Sequence, residues 1–521
     1  MSDDGHGDGA VPTLTRRPGH DRWRLGPGVR WLDGTTLAGG TPYRVVTLTS
    51  RGAGLLRGVV DGEPLPAGEP AVDRLMHRLR AAGLLLAPAP AATDHEGVTV
   101  VIPARSAAGP VRDLLGTLPA DLPVVLVDDG SPVPLAPLAA ERPGLTVLRH
   151  ERSRGPAAAR NAGAAAARTP WIAFLDADTI PDPRWIDRLK AQIAETSATI
   201  DDGARGAGAG GPVVLAAPQI VPLPGSGSGG WFEQRVCALD LGHTPSEVGP
   251  GRAVSYVPSA AMLVHADSFA AVGGFRDDMH VGEDVDLVWR IAAHGAVRYY
   301  PDVHVGHRPR GTLAAALNRR RLYGTSAADL ADRHPGALRH LDVSIWSLGP
   351  WLLAVLVHPA AGLLAGGVTA AIAPWGMREL SPAHARKLAA LGHLRAGAAL
   401  GRWLIRPMLP VTMAVAVLRP RIGRRLAVAA AAGLLVQAVQ DVRTGGTAEG
   451  SENAGRAGLA IRLRSTAESF VAHALDDAAY GLGVWQGVLR RRNPEPVLPR
   501  VRDLPRPRAW FRRSPAPAAD G

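Results

Sequence analysis

Residues 171–178 read Trp-Ile-Ala-Phe-Leu-Asp-Ala-Asp, an apolar run that ends in two carboxylates one residue apart. A run of strand formers this apolar belongs inside a sheet. Carboxylates just past its end stand at the C-terminal sheet edge, where open α/β sheets bind ligands. Two of them at that spacing suit an oxygen-seeking Mg2+ or Mn2+ ion. Taken alone, they suit a solvated strand-end turn equally well, and the rest of the chain weighs on the metal side.

Other runs of the same kind precede this one. Val98 to Pro103 is a buried strand closed by proline. Pro123 to Val127 is a second, ending in Asp128-Asp129-Gly130-Ser131, and Thr146 to Leu148 is a third. Helical patterns lie between them, near Val111–Leu118 and Pro156–Ala167, and a further strand candidate spans Ala261 to Val264. Strands alternating with helices predict βαβ units and a parallel α/β sheet over 95–330. Gly203 to Gly211 reads as a flexible glycine-rich loop.

The chain has 521 residues, too many for one core. Residues 1–22 are polar and Gly-rich, and are expected to be disordered. Residues 23–90 hold a strand-like stretch (Thr41–Leu48) and two short helical patterns: Leu55, Leu56, Val59 and Val60, then Val72, Leu75, Met76 and Leu79. Leu84–Leu86 follows as a wing strand, so the module reads as a small winged helix that binds peptide or DNA, or only caps the next domain. Residues 340–440 are apolar but interrupted by Pro350, His358, Pro359 and four arginines. No stretch there offers the roughly 20 uninterrupted apolar residues of a clean span, so broken spans, a re-entrant hairpin and buried helices all remain open. The apolar density favours membrane association, with the catalytic domain on the cytoplasmic side. Residues 441–492 open on a polar linker and carry an amphipathic helix, Leu459 to Leu489; 493–521 form a basic Pro/Arg-rich tail suited to anionic lipid.

Charge narrows the partners. The net charge of +11 favours anionic ones: nucleotide diphosphates, nucleic acid or an anionic membrane. The basic residues are scattered or late in the chain, which argues against a nucleic-acid face. Cys237 is the sole cysteine, so no disulfide forms within the chain, as suits a reducing compartment. The polar N-terminus has no apolar signal segment, which argues against secretion.

Four features fall in one order: the strand ending at Pro103, then Asp128-Asp129-Gly130-Ser131, then Asp176-Ala177-Asp178, then Gly273-Gly274-Phe275 followed by Gly282-Glu283-Asp284-Val285-Asp286-Leu287-Val288-Trp289-Arg290. Together, over about 97–325, they resemble the family 2 inverting glycosyltransferases of the GT-A fold. The resemblance implies a nucleotide-diphospho-sugar donor and a divalent cation, Mg2+ or Mn2+, on Asp178 with help from Asp176. It implies a donor site at Pro103, at Asp128 or Asp129 (base or ribose), and at Arg154 and Arg160, for which a solvated helix face is an equal alternative. Asp284 is implied as the general base, with Glu283 orienting the acceptor and Asp286 at the helix surface or cap. His307, in preference to His304, would complete the metal site or else be a hydrogen-bonded structural histidine. Arg321, in Asn318-Arg319-Arg320-Arg321-Leu322-Tyr323-Gly324, would reach the diphosphate, although this stretch departs from the Gln-x-x-Arg-Trp of processive polymerases, so processivity is not carried over.

A winged-helix module ahead of such a domain resembles the peptide-chaperone domains of ribosomally made, modified peptides. That pairing implies a peptide-derived small-molecule acceptor, a redox cofactor precursor, glucosylated from UDP-glucose with β-1,4 links. The alternatives are an enzyme acting on polyprenyl phosphate or cell-envelope glycan, and a peptide- or DNA-binding regulator with a dead transferase domain. Intact Asp178 and Asp284 argue against the last.

Overall fold

The computed structural model describes residues 22–26, 28–40, 44–66, 68–88, 94–201, 211–377, 380–444 and 455–503. They divide into two units, Met1–Leu338 and Arg339–Gly521. The expected disordered start, glycine-rich loop and polar linker lie almost wholly outside the described residues.

The first unit opens with a small module. Thr36–Gly39, fully buried, is the middle strand of an antiparallel meander with Arg30–Trp31 and Arg44–Thr47. The helix Ser50–Asp61 follows, its start capped by the Thr49 hydroxyl, which accepts from the Gly52 N–H at 3.1 Å, and its end by left-handed Gly62. A second helix, Pro70–Ala81, packs Val72, Met76 and Leu79 onto Leu37, Leu56 and Val59. Leu85–Leu86 then pairs with Arg24–Leu25 at the start of the module. The order strand, helix, turn, helix, strand is as expected. The meander ahead of the helices was not, because Arg30–Trp31 and Thr36–Gly39 are too short to show an alternating pattern.

The sheet that follows has nine strands among the described residues. Its elements are β1 (Val98–Ala104), α1 (Ala108–Thr117), β2 (Val124–Asp129), β3 (Leu145–His150), α2 (Pro156–Ala166), β4 (Trp171–Leu175), β5 (Thr179–Pro181), α3 (Trp185–Asp201), β6 (Val213–Pro222), α4 (Gly227–Glu233), β7 (Ala261–His265), α5 (Glu283–Ala292), β8 (Ala296–His307) and α6 (Leu313–Arg333). The strand order is β5-β8-β6-β7-β4-β1-β2-β3, with the short strand Ser246–Glu247 added against β8. Strands β4, β1, β2 and β3 run parallel, as the βαβ pattern predicts. The antiparallel β7 lies between β4 and β6, so the sheet is mixed.

Both faces are covered, which is why the strands read as near-continuous apolar runs. Val98, Val100 and Ile102 of β1 pack with Leu114, Leu126 and Trp185 on one face; Val101 packs with Val127, Phe174 and Leu287 on the other. Strand β6 escaped the sequence reading because Ala216, Ala217, Pro218 and Gln219 break its apolar run. Its pairing with β8 continues from Gln219↔His304 to Pro222↔His307. That pairing extends β8 well past Tyr300, so His304 and His307 stand inside a strand and not after one.

The second unit is helical. The apolar stretch becomes Ile345–Leu356, Pro359–Gly376, Pro382–Ile405, Leu409–Leu418 and Pro420–Thr444, with prolines at the breaks, and Gly455–Arg491 follows. One of these helices, Pro420–Val442, is long and apolar enough to cross a membrane, and Pro382–Ile405 with Leu409–Leu418 forms a pair bent by 87°. The expected basic tail is ordered in part: Arg500–Arg502 pairs in parallel with Asp342–Ser344. Residues beyond 503 lie outside the described ones.

Candidate active site

The carboxylates after β4 stand where the sheet's C-terminal edge opens. Asp176 is anchored through its N–H to the Ala260 carbonyl at 3.0 Å, and its carboxylate accepts from Arg160 Nη2 at 2.6 Å. Asp178 turns the other way. Its Oδ2 lies 3.4 Å from His307 Nε2, on the neighbouring end of β8, and its side chain stays 44% exposed. Burial pushes the Asp178 carboxyl up, but the hydrogen bond and charge of His307 and the charge of Arg310 outweigh it, leaving the group below its ordinary range. For His307, burial pushes the ring down, while Asp178, Glu233 and Asp176 together pull it up. The buried His307 Nδ1 has no hydrogen-bond partner. The His304 carbonyl accepts from the Asp182 N–H.

Among the described residues, no three His, Cys, Asp or Glu side chains form a metal cage by themselves. Asp178 and His307 supply two donors. That number fits Mg2+ or Mn2+, which completes its shell with phosphate oxygens and water.

Glu283 and Asp284 open α5 beside this edge. Gly282, at φ +83, makes the turn into the helix, and a Cβ there would lie 2.8 Å from Ser326. Glu283 accepts from Arg160 Nη1 at 3.1 Å, so one buried guanidinium joins it to Asp176. Asp284 accepts from the Val285 N–H at 2.8 Å and, more loosely, from the Ser259 N–H at 3.4 Å. Burial and the neighbouring Asp284 push Glu283 up to about 7, against the pull of Arg160. Burial also raises Asp284, against the Val285 N–H and Arg160.

Arg160 is therefore no solvated helix residue: it is 4% exposed and turned onto two carboxylates. Asp286 needs a larger correction. It is fully buried and held by Arg290, Arg276 and His334, because the side of α5 that carries it faces these side chains and not water.

Asp128 and Asp129 also turn inward. Asp128 accepts from the N–H groups of Ser131 and Leu135 at 2.9 and 3.1 Å, and from Arg149. Asp129 accepts from the N–H groups of Arg154 and Gly155, both at 2.9 Å, and from Ser153 and His150. Both carboxyls sit below their ordinary range: burial opposes, and these hydrogen bonds outweigh it. Their oxygens hold loops together, where the sequence reading had assigned one of them to a base or ribose. Pro103 lies half-buried near the end of β1, and Arg154 is exposed at the rim, 3.9 Å from Asp277.

A narrow cleft open to solvent lies beside His307, lined among others by Glu233, Arg310, Arg319, Arg320 and Tyr323. The sequence reading placed Arg321 near the diphosphate. The structure instead turns Arg321 onto Asn318, its Nη2 2.8 Å from Oδ1, and presents Arg319 and Arg320 to the cleft. Three consecutive arginines differ only in helical phase, about 100° per residue, and nothing in the sequence sets that phase. Glu233 and Arg310, 3.6 Å apart, carried no motif to mark them.

Comparison with known proteins gives the family. The glycosyl transferase family 2 model matches residues 99–232, and the glycosyl transferase family group 2 model matches 171–377. The chain is 34% identical to the Pre-mycofactocin glycosyltransferase of Mycobacterium tuberculosis over 501 residues, 94% of this chain and 100% of that protein. The chain is a family 2 glycosyltransferase. The mixed sheet with its acidic edge is the GT-A fold expected of that family. Succinoglycan biosynthesis protein ExoU of Rhizobium meliloti is 30% identical over 45% of this chain and 69% of its own. A solved mannosyltransferase of Pyrobaculum calidifontis, in complex with GDP-Man and Mn2+, is 20% identical, with 66% of this chain and 89% of that one covered at a TM-score of 0.33.

Proposed function

We propose that this glycosyltransferase transfers glucose, as a β-1,4-linked oligomer, from UDP-glucose to pre-mycofactocin, a peptide-derived redox cofactor precursor. One observation carries the acceptor: the 34% identity runs through the whole of a protein named for that substrate, including the stretches outside the catalytic sheet. The N-terminal module then serves as a peptide-chaperone-like domain that delivers the acceptor. The match to ExoU and the exposed apolar helices of the second unit favour a second reading, transfer to a lipid-linked or cell-envelope glycan.

The residues support an inverting reaction. Asp284 takes the proton of the acceptor hydroxyl as that oxygen attacks the anomeric carbon. The bond from that carbon to the diphosphate breaks on the opposite face, and the configuration inverts. Its raised affinity for protons suits a base, and Arg160 keeps the surrounding carboxylates from driving it out of place. Glu283, beside it, orients the acceptor. Asp178 and His307, with Asp176 behind them, would hold the divalent cation. Such an ion, when bound, neutralises charge developing on the leaving diphosphate. Arg310, Arg319 and Arg320 add positive charge to the same side.

The second unit supports a membrane-associated enzyme with its catalytic unit in the cytoplasm. One of its carboxylates is enclosed: Asp477 is 0% exposed and paired with Arg402 and Arg406. Its apolar side chains face outward, with Leu363 79%, Trp375 78% and Val417 79% exposed. Large apolar side chains left exposed in this number suit a surface that meets lipid. The protein is expected to pellet with membranes and to leave them only in part at high salt; complete recovery in a gentle soluble lysate contradicts this.

The test of the acceptor is mass spectrometry of small molecules from cells with and without the gene. A ladder of hexoses on one peptide-derived aglycone, lost with the gene, is expected. A ladder on a polyprenyl carrier favours the second reading.

A further inference from the structure

Asp286 has no part in the chemistry above, yet it is the most completely enclosed carboxylate of α5. Its Oδ2 accepts from Arg290 Nε at 2.8 Å and lies 3.3 Å from Arg276 Nε; its Oδ1 meets His334 Nε2 at 2.8 Å. A fully buried charge needs such compensation, and here it comes from three different places in the chain. Arg290 extends the contact. Its Nη1 donates to the Val272 carbonyl at 2.6 Å and its Nη2 to the Gly274 carbonyl at 2.9 Å. Those carbonyls belong to the Gly273-Gly274-Phe275 turn, whose two glycines have φ of +76 and +68.

The turn is held from its other side by α2. Asn161 accepts from the Phe275 N–H at 2.9 Å and donates to the Phe275 carbonyl at 2.8 Å. Its neighbour Arg160 lies over the Phe275 ring and grips Asp176 and Glu283. The path from Asp286 through Arg290, the turn, Asn161 and Arg160 thus returns to Glu283, at the start of the same helix. His334, just past the end of α6, fixes α5 from outside, where Ser326 of α6 already meets Gly282.

We propose that Asp286 is a positioning residue of this transferase: acting through Arg290 and His334, it sets the orientation of Glu283–Asp284 at the sheet edge. The proposal rests on the reading of Asp284 as the base. Asp286→Asn keeps the size and removes the charge that gathers the two arginines and the histidine. A base displaced by about 1 Å loses roughly 10²-fold in rate. Turnover should therefore fall about 10- to 100-fold, while KM for the nucleotide sugar stays within about threefold, since the donor residues are untouched. His334→Gln removes one contact from a partly exposed side chain and should lower kcat by a smaller factor, so the test survives if Asp286→Asn fails to fold.

A cycle with Asp284→Asn separates positioning from general support. In the Asp284→Asn background the second substitution, Asp286→Asn or His334→Gln, should cost almost nothing more, because the group it orients is already gone. If the losses multiply, Asp286 only holds the fold together and the proposal is overturned, with the base assignment intact. If Asp284→Asn alone turns over normally, the base assignment fails and takes this inference with it.

Discussion

Asp128–Asp129 ends β2 and Asp176–Asp178 follows β4, with β1 between them on the same sheet edge. Both are acidic pairs at the C-terminal ends of buried parallel strands, and the fold uses them in opposite ways. Asp128 and Asp129 are met by backbone N–H groups of the loops that follow β2 and β3, so their charge is satisfied locally. Asp178 is met by a side chain of a distant strand, His307, and keeps almost half its surface open. A carboxylate whose oxygens are taken by N–H groups builds a loop; one that stays part-exposed beside a histidine has capacity left for a ligand.

Titration extends the contrast. Asp128 and Asp129 are held below their ordinary range, so the stability they contribute is present above the unfolded value near 3.8 and is lost as pH falls. Glu283 and Asp284 are held above theirs, so ionising them costs stability as pH rises through the native values. The enzyme accepts that cost where a base is wanted.

The largest expected effect belongs to the base. Asp284→Asn should bind donor normally and lose roughly 10²–10⁴-fold in turnover, the range that loss of general-base catalysis costs. A trapped glycosyl-enzyme adduct on Asp284 would show retention and break the assignment. Next comes pH. Asp284 must be ionised to accept a proton, and burial holds its carboxyl above the ordinary range, so kcat should climb about tenfold per unit along an acid limb displaced upward from that of a free carboxylate. An acid limb at the ordinary carboxylate value (about pH 4) would contradict it. The smallest effect on chemistry, and the clearest on folding, is expected from Asp129→Asn. Losing a charged acceptor of four hydrogen bonds should cost roughly 2 kcal/mol or more in denaturant unfolding, while kcat per folded molecule changes less than about threefold.

Much of this was legible in the chain. The apolar runs at Val98, Val124 and Trp171 declared a parallel sheet because both its faces are buried. Asp176, Asp178, Glu283 and Asp284 were marked by their place at strand and helix ends. What stayed hidden was orientation. Nothing local tells Asp128 from Asp178, because the difference lies in which backbone N–H groups the following loops present. Asp286 read as a surface residue because Arg276 and His334, which bury it, lie 10 and 48 residues away. Strand β6, with two prolines and a glutamine, becomes a strand only because β8 and β7 flank it.

The most direct test of the contrast between the two pairs is calorimetry of UDP binding with and without Mn2+. Wild type and Asp129→Asn, compared at a temperature where both are folded, should show the same metal-dependent gain in affinity. Asp178→Asn should keep its fold and lose that gain. If Asp178→Asn retains it while folded Asp129→Asn loses it, the two pairs have been given each other's roles.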